Sequence, residues 1–275
     1  MANIIPMAGI GSRFSAEGYL LPKPLVPVSG KPMILKVIES LPKSEKNIFI
    51  VRKEFIDNYK IDNLIKSKIH GAIIVPVGKT TQGQAATCML AMPYLKKDEP
   101  MFITSCDSSF LYDKKKYSKL ANDSEVDAVV WTFTKNNLLK ESPKSWGWAV
   151  LEKDGISIKS MSVKSPVSGN PFDDHAVVAT FCFKRARDFE EAYNLMVKEN
   201  FRINNEFYVD SMPIFYKKLG KRSVIFDVGL YVGWGRPSDL HAYQKWEYLS
   251  KNNIKPKNNE KEYLLWKKFF DAQND

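Results

Sequence analysis

The chain has 275 residues, 26% charged and 44% hydrophobic, which excludes a disordered or fibrous protein and suits one elaborated domain better than two independent ones. Its net charge of +10 draws polyanions, but the lysines are scattered apart from short clusters such as Lys114-Lys115-Lys116, which excludes a dedicated nucleic-acid stripe. Cys88, Cys106 and Cys182 lie far apart with no Cys-x-x-Cys spacing, which excludes a zinc site or a disulfide framework and reads as buried, reduced thiols. No apolar run approaches the ~18 residues of a membrane span and the N-terminus goes straight into a strand pattern, so a cytoplasmic protein without a membrane partner is expected.

Residues 2–6 read as a short strand that ends in a glycine loop, Ala8-Gly9-Ile10-Gly11-Ser12-Arg13-Phe14. Glycines there allow positive φ and a close approach of backbone N–H groups to an anion. Arg13 supplies a fork for bidentate contact, and Lys23, held in extended backbone by Pro22 and Pro24, a compact ammonium. The dinucleotide fingerprint is absent because Phe14 stands near where its third glycine belongs, and the Gly-Lys-Ser/Thr of a Walker loop is missing.

Gly9-x-Gly11-Ser12-Arg13-Phe14, followed by Pro22-Lys23-Pro24-Leu25-Val26-Pro27-Val28-Ser29-Gly30-Lys31-Pro32-Met33-Ile34, resembles the signature of the nucleoside-triphosphate transferases that activate sugar phosphates or alcohol phosphates as nucleotide conjugates. The resemblance covers roughly residues 2–245 and is strongest over 4–33. It implies a Rossmann-like α/β fold, a mostly parallel mixed sheet flanked by helices with a small antiparallel substrate-side subdomain. It also implies a nucleotidyltransferase domain over 1–245, with residues 246–275 as a C-terminal helical extension packed on it.

The elements that follow fit such a sheet. Apolar residues at helical spacing predict a helix over 33–41, stopped by Pro42. A strand is expected over 47–51, a helix over 55–67 and a strand over 72–77, the β-α-β order of a parallel sheet. Residues 78–87 are a polar loop leading into a helix over 86–92. Strands follow at 100–105 and 127–134, then an antiparallel pair over 146–150 and 156–166 turned at Lys153-Asp154-Gly155. A strand over 177–184 precedes an amphipathic helix over 186–198, residues 204–210 open another helix, and 223–228 is a strand. The tail from Leu240 is helical and basic, its aromatic stripe a core or subunit contact, so a homo-oligomer is compatible with it.

Asp107 stands just beyond an apolar strand, where open α/β sheets bind ligands, and a carboxylate there suits Mg²⁺ bridging phosphate oxygens. A plain strand-end turn is the alternative. Gln82 and Gln84 each offer a donor and an acceptor to a nucleobase edge, and Gly83 lets the backbone come close. The resemblance favours Gln82 and Gly83 as the base-reading residues, with Ala8, Gly9, Gly11 and Ser12 as the nucleotide-binding loop. Val163-Lys164-Ser165-Pro166 is similar to a Glu-Lys-Pro of the family, which makes Lys164 the candidate for the acceptor phosphate, against a solvated strand lysine. Glu206 and Asp210, spaced to share a helical face, are candidates for acceptor hydroxyls, although such residues also cap helices.

One departure stands out. Tyr231-Val232-Gly233-Trp234-Gly235-Arg236-Pro237-Ser238-Asp239-Leu240 is similar to the family's closing segment, but Gly233 occupies the position of a second metal-binding aspartate. Asp227 is nearby in sequence, and Asp239 reads as a helix cap.

The resemblance implies transfer of a nucleoside monophosphate from a nucleoside triphosphate to a phosphorylated acceptor, foremost a sugar 1-phosphate for surface-polysaccharide precursors, with Mg²⁺ and release of pyrophosphate. Arg13 and Lys23 are then the catalytic residues. A CTP-dependent enzyme acting on a small alcohol phosphate such as phosphocholine is an alternative, with Trp146, Trp148, Phe172 and Tyr208 available to cage a cation. A glycosyltransferase of similar fold is disfavoured, because Cys106-Asp107-Ser108 lacks the Asp-x-Asp of that class. A non-catalytic nucleotide sensor stays open.

Overall fold

Ala2–Met7 is an almost wholly buried strand, and the large sheet is built outward from it. A computed structural model describes residues 1–272. The chain divides into two compact units: Met1–Gly9, Lys43–Ser105 and Asp113–Asp227 form one, and Ile10–Pro42, Cys106–Tyr112 and the described residues from Val228 on form the other.

In the first unit Ala2–Met7 pairs in parallel with Lys46–Arg52 on one side and Met101–Ile103 on the other, and Ala72–Val77 lies beyond Lys46–Arg52. His175–Phe183 runs antiparallel beside Met101–Ile103 and also pairs with Ala128–Phe133 and Gly147–Leu151. Ile158–Val163 extends the hairpin, and Ser223–Asp227 joins Ala128–Phe133 in parallel, giving a nine-stranded mixed sheet. Helices Lys53–Tyr59, Ile61–Lys68, Gln84–Met89 and Ala186–Lys198 pack on it. All six residues of Ala128–Phe133 are buried, as expected of a strand covered on both faces. The fold is the expected α/β class.

Two local expectations need correction. The helix expected over 55–67 is two helices, because Lys60 takes a left-handed conformation (φ 51°) that closes the first with its N–H on the Ile56 carbonyl. Residues 204–210 do not open a helix. Asn204 and Asn205 both have positive φ (49° and 63°) and make a tight turn in which Ile203 and Glu206 exchange backbone hydrogen bonds. The α-helix starts only at Met212–Lys218, after a 3₁₀ turn Val209–Ser211, so Glu206 and Asp210 share no helical face.

The second unit holds the short helix Ser12–Ala16, the 3₁₀ turn Lys23–Leu25, a two-residue hairpin Pro27–Val28 with Lys31–Pro32, and helix Met33–Glu39. Ser108–Leu111 pairs antiparallel with Leu230–Gly233. Helices Pro237–Lys251 and Glu260–Asp271 pack together, with Tyr243 edge-on to Trp266 and Trp246 stacked on Trp266. The aromatic stripe of the tail is therefore core. The expected extension begins inside Pro237–Lys251, and its residues 273–275 lie outside the described residues.

Candidate functional site

Gly11 takes φ 72°, a left-handed turn that glycine adopts without strain, and ends the loop by accepting the Phe14 N–H. Buried Phe14 packs edge-on against Tyr19 and anchors the turn, leaving Ser12 and Arg13 exposed on its outer side. The Arg13 guanidinium makes no hydrogen bond or ion pair among the described residues, although it lies close enough to Lys23 to disfavour the lysine's charge.

Lys23 Nζ donates to Asp107 Oδ2 at 2.6 Å, both side chains being about one-fifth exposed. Burial works against the ammonium, but Asp107 more than offsets it, so the Lys23 pKa is raised and the side chain stays charged. Burial pushes the neighbouring Cys106 thiol up to about 11, which leaves it protonated and inert. Asp107 is held by the strand pair Ser108–Leu111 with Leu230–Gly233, and its carbonyl accepts the Trp234 N–H at 2.7 Å.

The donor set around Asp107 fits Mg²⁺ in one specific way. A Cβ on Gly235 would lie 3.0 Å from Asp107 Oδ2, so the glycine leaves the carboxylate room for a ligand. The described residues contain no cluster of three or more His, Cys, Asp or Glu side chains able to hold a metal. Mg²⁺ commonly takes one or two carboxylates and completes its shell with phosphates and water, so one carboxylate suffices when a polyphosphate is present. The position of the missing aspartate, Gly233, is not empty: a Cβ there would meet the Tyr231 hydroxyl at 2.7 Å. Asp227 accepts from Thr132 Oγ1 (3.2 Å) and Thr134 Oγ1 (3.4 Å), with His175 Nδ1 3.7 Å away. Asp239 is no cap; it forms a bidentate pair with Arg236 at 2.8–3.1 Å.

In the first unit Ala8 and Gly9 line a cavity of about 250 Å³ together with Thr81, Gly83, Gln84 and Glu206. Gly83 is glycine for a backbone reason. Its φ is 122°, and a Cβ would fall 2.6 Å from both the N and O of Phe207, whose N–H donates to the Gln82 carbonyl. Gln82 itself is exposed and does not line the cavity. Its Oε1 accepts from Arg202 Nη2 at 2.8 Å, and that guanidinium lies 3.9 Å over the Phe207 ring. Gln84, not Gln82, lines the cavity. The two share a loop, and only the side to which the chain turns at Gly83 separates them, so residue type alone did not distinguish them.

Lys164 and Asp210 come together in the same unit. Lys164 has φ 66°, donates to the Ser145 carbonyl at 2.8 Å and lies 5.7 Å over the Tyr208 ring. Burial raises the Asp210 carboxyl to about 6, with Lys164 opposing the rise. A Cβ on Gly147 would strike Asp210 Oδ2 at 2.3 Å, so only glycine fits above this acid. Glu206 lines the cavity, whereas Lys164 and Asp210 do not. The four aromatic residues form no cage. Trp148 is fully buried, Trp146 packs on Phe133, and Phe172 and Tyr208 each already carry a lysine, Lys140 and Lys164.

Residues 3–194 match the sequence profile of the MobA-like NTP transferase domain. The mannose-1-phosphate guanyltransferase of Debaryomyces hansenii is 26% identical over 170 residues, 61% of this chain and 46% of that protein; the chain spans about half the length of the curated relatives it matches. Among solved structures, a nucleoside-diphosphate-sugar pyrophosphorylase from Vibrio cholerae RC9 superposes with TM-score 0.70 at 20% identity, covering 88% of this chain and 99% of that one. The inositol-1-phosphate CTP transferase of T. maritima gives 0.69 at 19%, covering 91% and 95%.

Proposed function

Because the chain belongs to the family of MobA-like NTP transferase domains, we propose that it transfers a nucleoside monophosphate from a nucleoside triphosphate to a phosphorylated acceptor, a sugar 1-phosphate, and releases pyrophosphate. The observation that carries this reading is the second unit's constellation: Arg13, without a protein partner among the described residues, and Lys23 held 2.6 Å from Asp107. Two cations and one carboxylate at a glycine turn suit a polyphosphate and a divalent ion.

The attacking group is an oxygen of the acceptor phosphate. It forms a bond to the α-phosphorus, the bond to the bridging oxygen breaks, and pyrophosphate leaves with the electron pair. The attacking oxygen is already anionic, so no protein nucleophile or base is needed, and catalysis is positioning plus neutralisation. Arg13 binds the β and γ phosphates and neutralises the leaving group. Lys23 serves the α-phosphate, and in the same unit the backbone of Gly11 and Ser12 receives phosphate oxygens. Asp107 would hold Mg²⁺, which when bound neutralises phosphate oxygens. Gly83 and Gln82 shape the loop at the base, Lys164 steers the acceptor phosphate, and Asp210 accepts from an acceptor hydroxyl. A cytoplasmic location and a place in polysaccharide-precursor synthesis belong to the same proposal.

Pyrophosphate release from CTP, UTP, GTP, dTTP and ATP, each with Mg²⁺ and a panel of sugar 1-phosphates and alcohol phosphates, tests it. Release that requires one triphosphate and one acceptor together is expected. A nucleotide sensor is the second reading, favoured by the side chain of Tyr231 at the place of the second carboxylate. Triphosphate binding with no release across the panel would select it.

A further inference from the structure

The relatives do not fix the base: one is named a guanyltransferase, and another structure is named a CTP transferase. The cavity of the first unit does carry a pattern. Two of its lining side chains, the Gln84 amide and the Glu206 carboxylate, make no hydrogen bond or ion pair among the described residues. At about 250 Å³ it lies just below the roughly 300–1,000 Å³ of pockets for drug-sized ligands, a size for one ring system.

We infer that Glu206 is the residue that selects the nucleobase, and that the base it selects is guanine. The inference rests on the proposed reading of the Gly83 loop, which lines this cavity, as the loop at the base. An ionised carboxylate is an acceptor only, with two oxygens side by side. Guanine alone among the neutral bases presents two adjacent parallel donors, N1–H and the exocyclic N2–H. Uracil and thymine present one N–H between two carbonyl oxygens, which would face the carboxylate. Adenine and cytosine present one amino group beside a ring nitrogen lone pair. The Gln84 amide then donates to O6, the remaining group on the same edge of guanine.

Glu206 is fixed in place by the turn that carries it. Its N–H and carbonyl are both bonded to Ile203, at 2.9 and 3.0 Å, and the next residue, Phe207, bonds the Gln82 carbonyl at 2.8 Å. Arg202 binds Gln82 Oε1, Asn200 Oδ1 and the Asn205 carbonyl, at 2.7–3.1 Å, which ties the turn to the loop that supplies Gln84. The Glu206 Cβ lies 3.0 Å from where a Gly83 Cβ would be. The turn fixes the backbone of Glu206 while its side chain is exposed, and a mismatched base would leave the carboxylate facing a lone pair.

Calorimetric titration of the full chain with GTP, ITP, UTP, CTP and ATP in Mg²⁺ tests this. ITP keeps N1–H and O6 and lacks only the 2-amino group. GTP is expected to bind tightest and ITP about tenfold more weakly, the scale of one lost specific base contact. Glu206→Gln is expected to lose about tenfold or more for GTP, to close the gap between GTP and ITP, and to raise UTP affinity, because the amide accepts from N3–H and donates to a carbonyl oxygen of uracil. A wild-type preference for UTP, CTP or ATP, or a GTP-over-ITP ratio unchanged in Glu206→Gln, overturns the inference; the wild-type ratio decides even if the variant does not fold. Pyrophosphate release that uses another base would sink this inference and keep the transferase reading. Glu206-dependent GTP binding without release would do the reverse.

Discussion

Lys23 Nζ and Asp107 Oδ2 lie 2.6 Å apart although 84 residues separate them in the chain. Lys23 opens the 3₁₀ turn Lys23–Leu25 and is not in the extended backbone expected of it between Pro22 and Pro24, and the Ser108–Leu111 strand presents the aspartate. The pair is partly exposed, so its contribution to stability is about 1 kcal/mol or less. Its worth lies in preorganisation, with a cation already beside the group proposed to hold the metal. Lys23→Ala is expected to unfold within about 1 kcal/mol of wild type in urea while turnover falls about 10²–10³-fold. A variant that loses stability in step with activity would mark the pair as a fold contact.

Arg13 differs from Lys23 in having no protein partner among the described residues. Its proposed contacts strengthen as charge moves onto pyrophosphate, so its removal should lower kcat more than it raises KM. Arg13→Ala is expected to keep the wild-type melting temperature and lose about 10²-fold in kcat. Normal turnover in this variant removes Arg13 from the chemistry.

Much of this arrangement was legible in the sequence because local signals carry it. The glycine loop and the apolar strands act within a few residues, and each appears in the fold. What escaped depends on distant chain. The Ser108–Leu111 and Leu230–Gly233 pair is four residues per strand, too short for a periodic signal, yet it fixes Asp107. Gln84 was separated from Gln82 only by the turn at Gly83, which the approach of Phe207 imposes. Glu206 was assigned by its spacing to Asp210, and two consecutive asparagines at positive φ, Asn204 and Asn205, replaced the helix on which that spacing relied.

That approach of Phe207 makes Gly83 the most constrained position of the base loop. A methyl group there would meet backbone N and O at 2.6 Å, in a conformation that L side chains rarely adopt. Backbone atoms cannot rotate away as a side chain can. Gly83→Ala is expected to cost about 1–3 kcal/mol in chemical denaturation and to weaken triphosphate binding with it. Wild-type stability with wild-type binding would show that the loop relaxes freely.

Restoring the carboxylate that the family motif carries is expected to fail for a steric reason. Gly233→Asp would place its Cβ 2.7 Å from the Tyr231 hydroxyl and 2.9 Å from its ring. A stability loss of about 1–3 kcal/mol is expected from overpacking. The double variant with Tyr231→Ala should lose less than the sum of the two single changes, because the clash is shared. Additive losses in thermal melts would place the cost elsewhere.

Asp210 makes stability depend on pH in a direction opposite to that of a salt-bridged carboxylate. Its pKa rises from the ordinary 3.8 to about 6 because burial disfavours the charged form, with the Lys164 ammonium opposing. The folded state thus holds the proton more tightly than the unfolded one. The associated stabilisation is fully present below about pH 4 and is lost as pH rises through about 6. Two units correspond to about 3 kcal/mol. Asp210→Asn cannot ionise, so its stability relative to wild type should increase by up to about 3 kcal/mol between pH 4 and pH 7, measured by urea unfolding at each pH. Replacing Lys164 by Met should steepen the wild-type dependence, since the opposing charge is gone. A flat difference between Asp210→Asn and wild type across this window would mean that the acid is solvated in the folded protein.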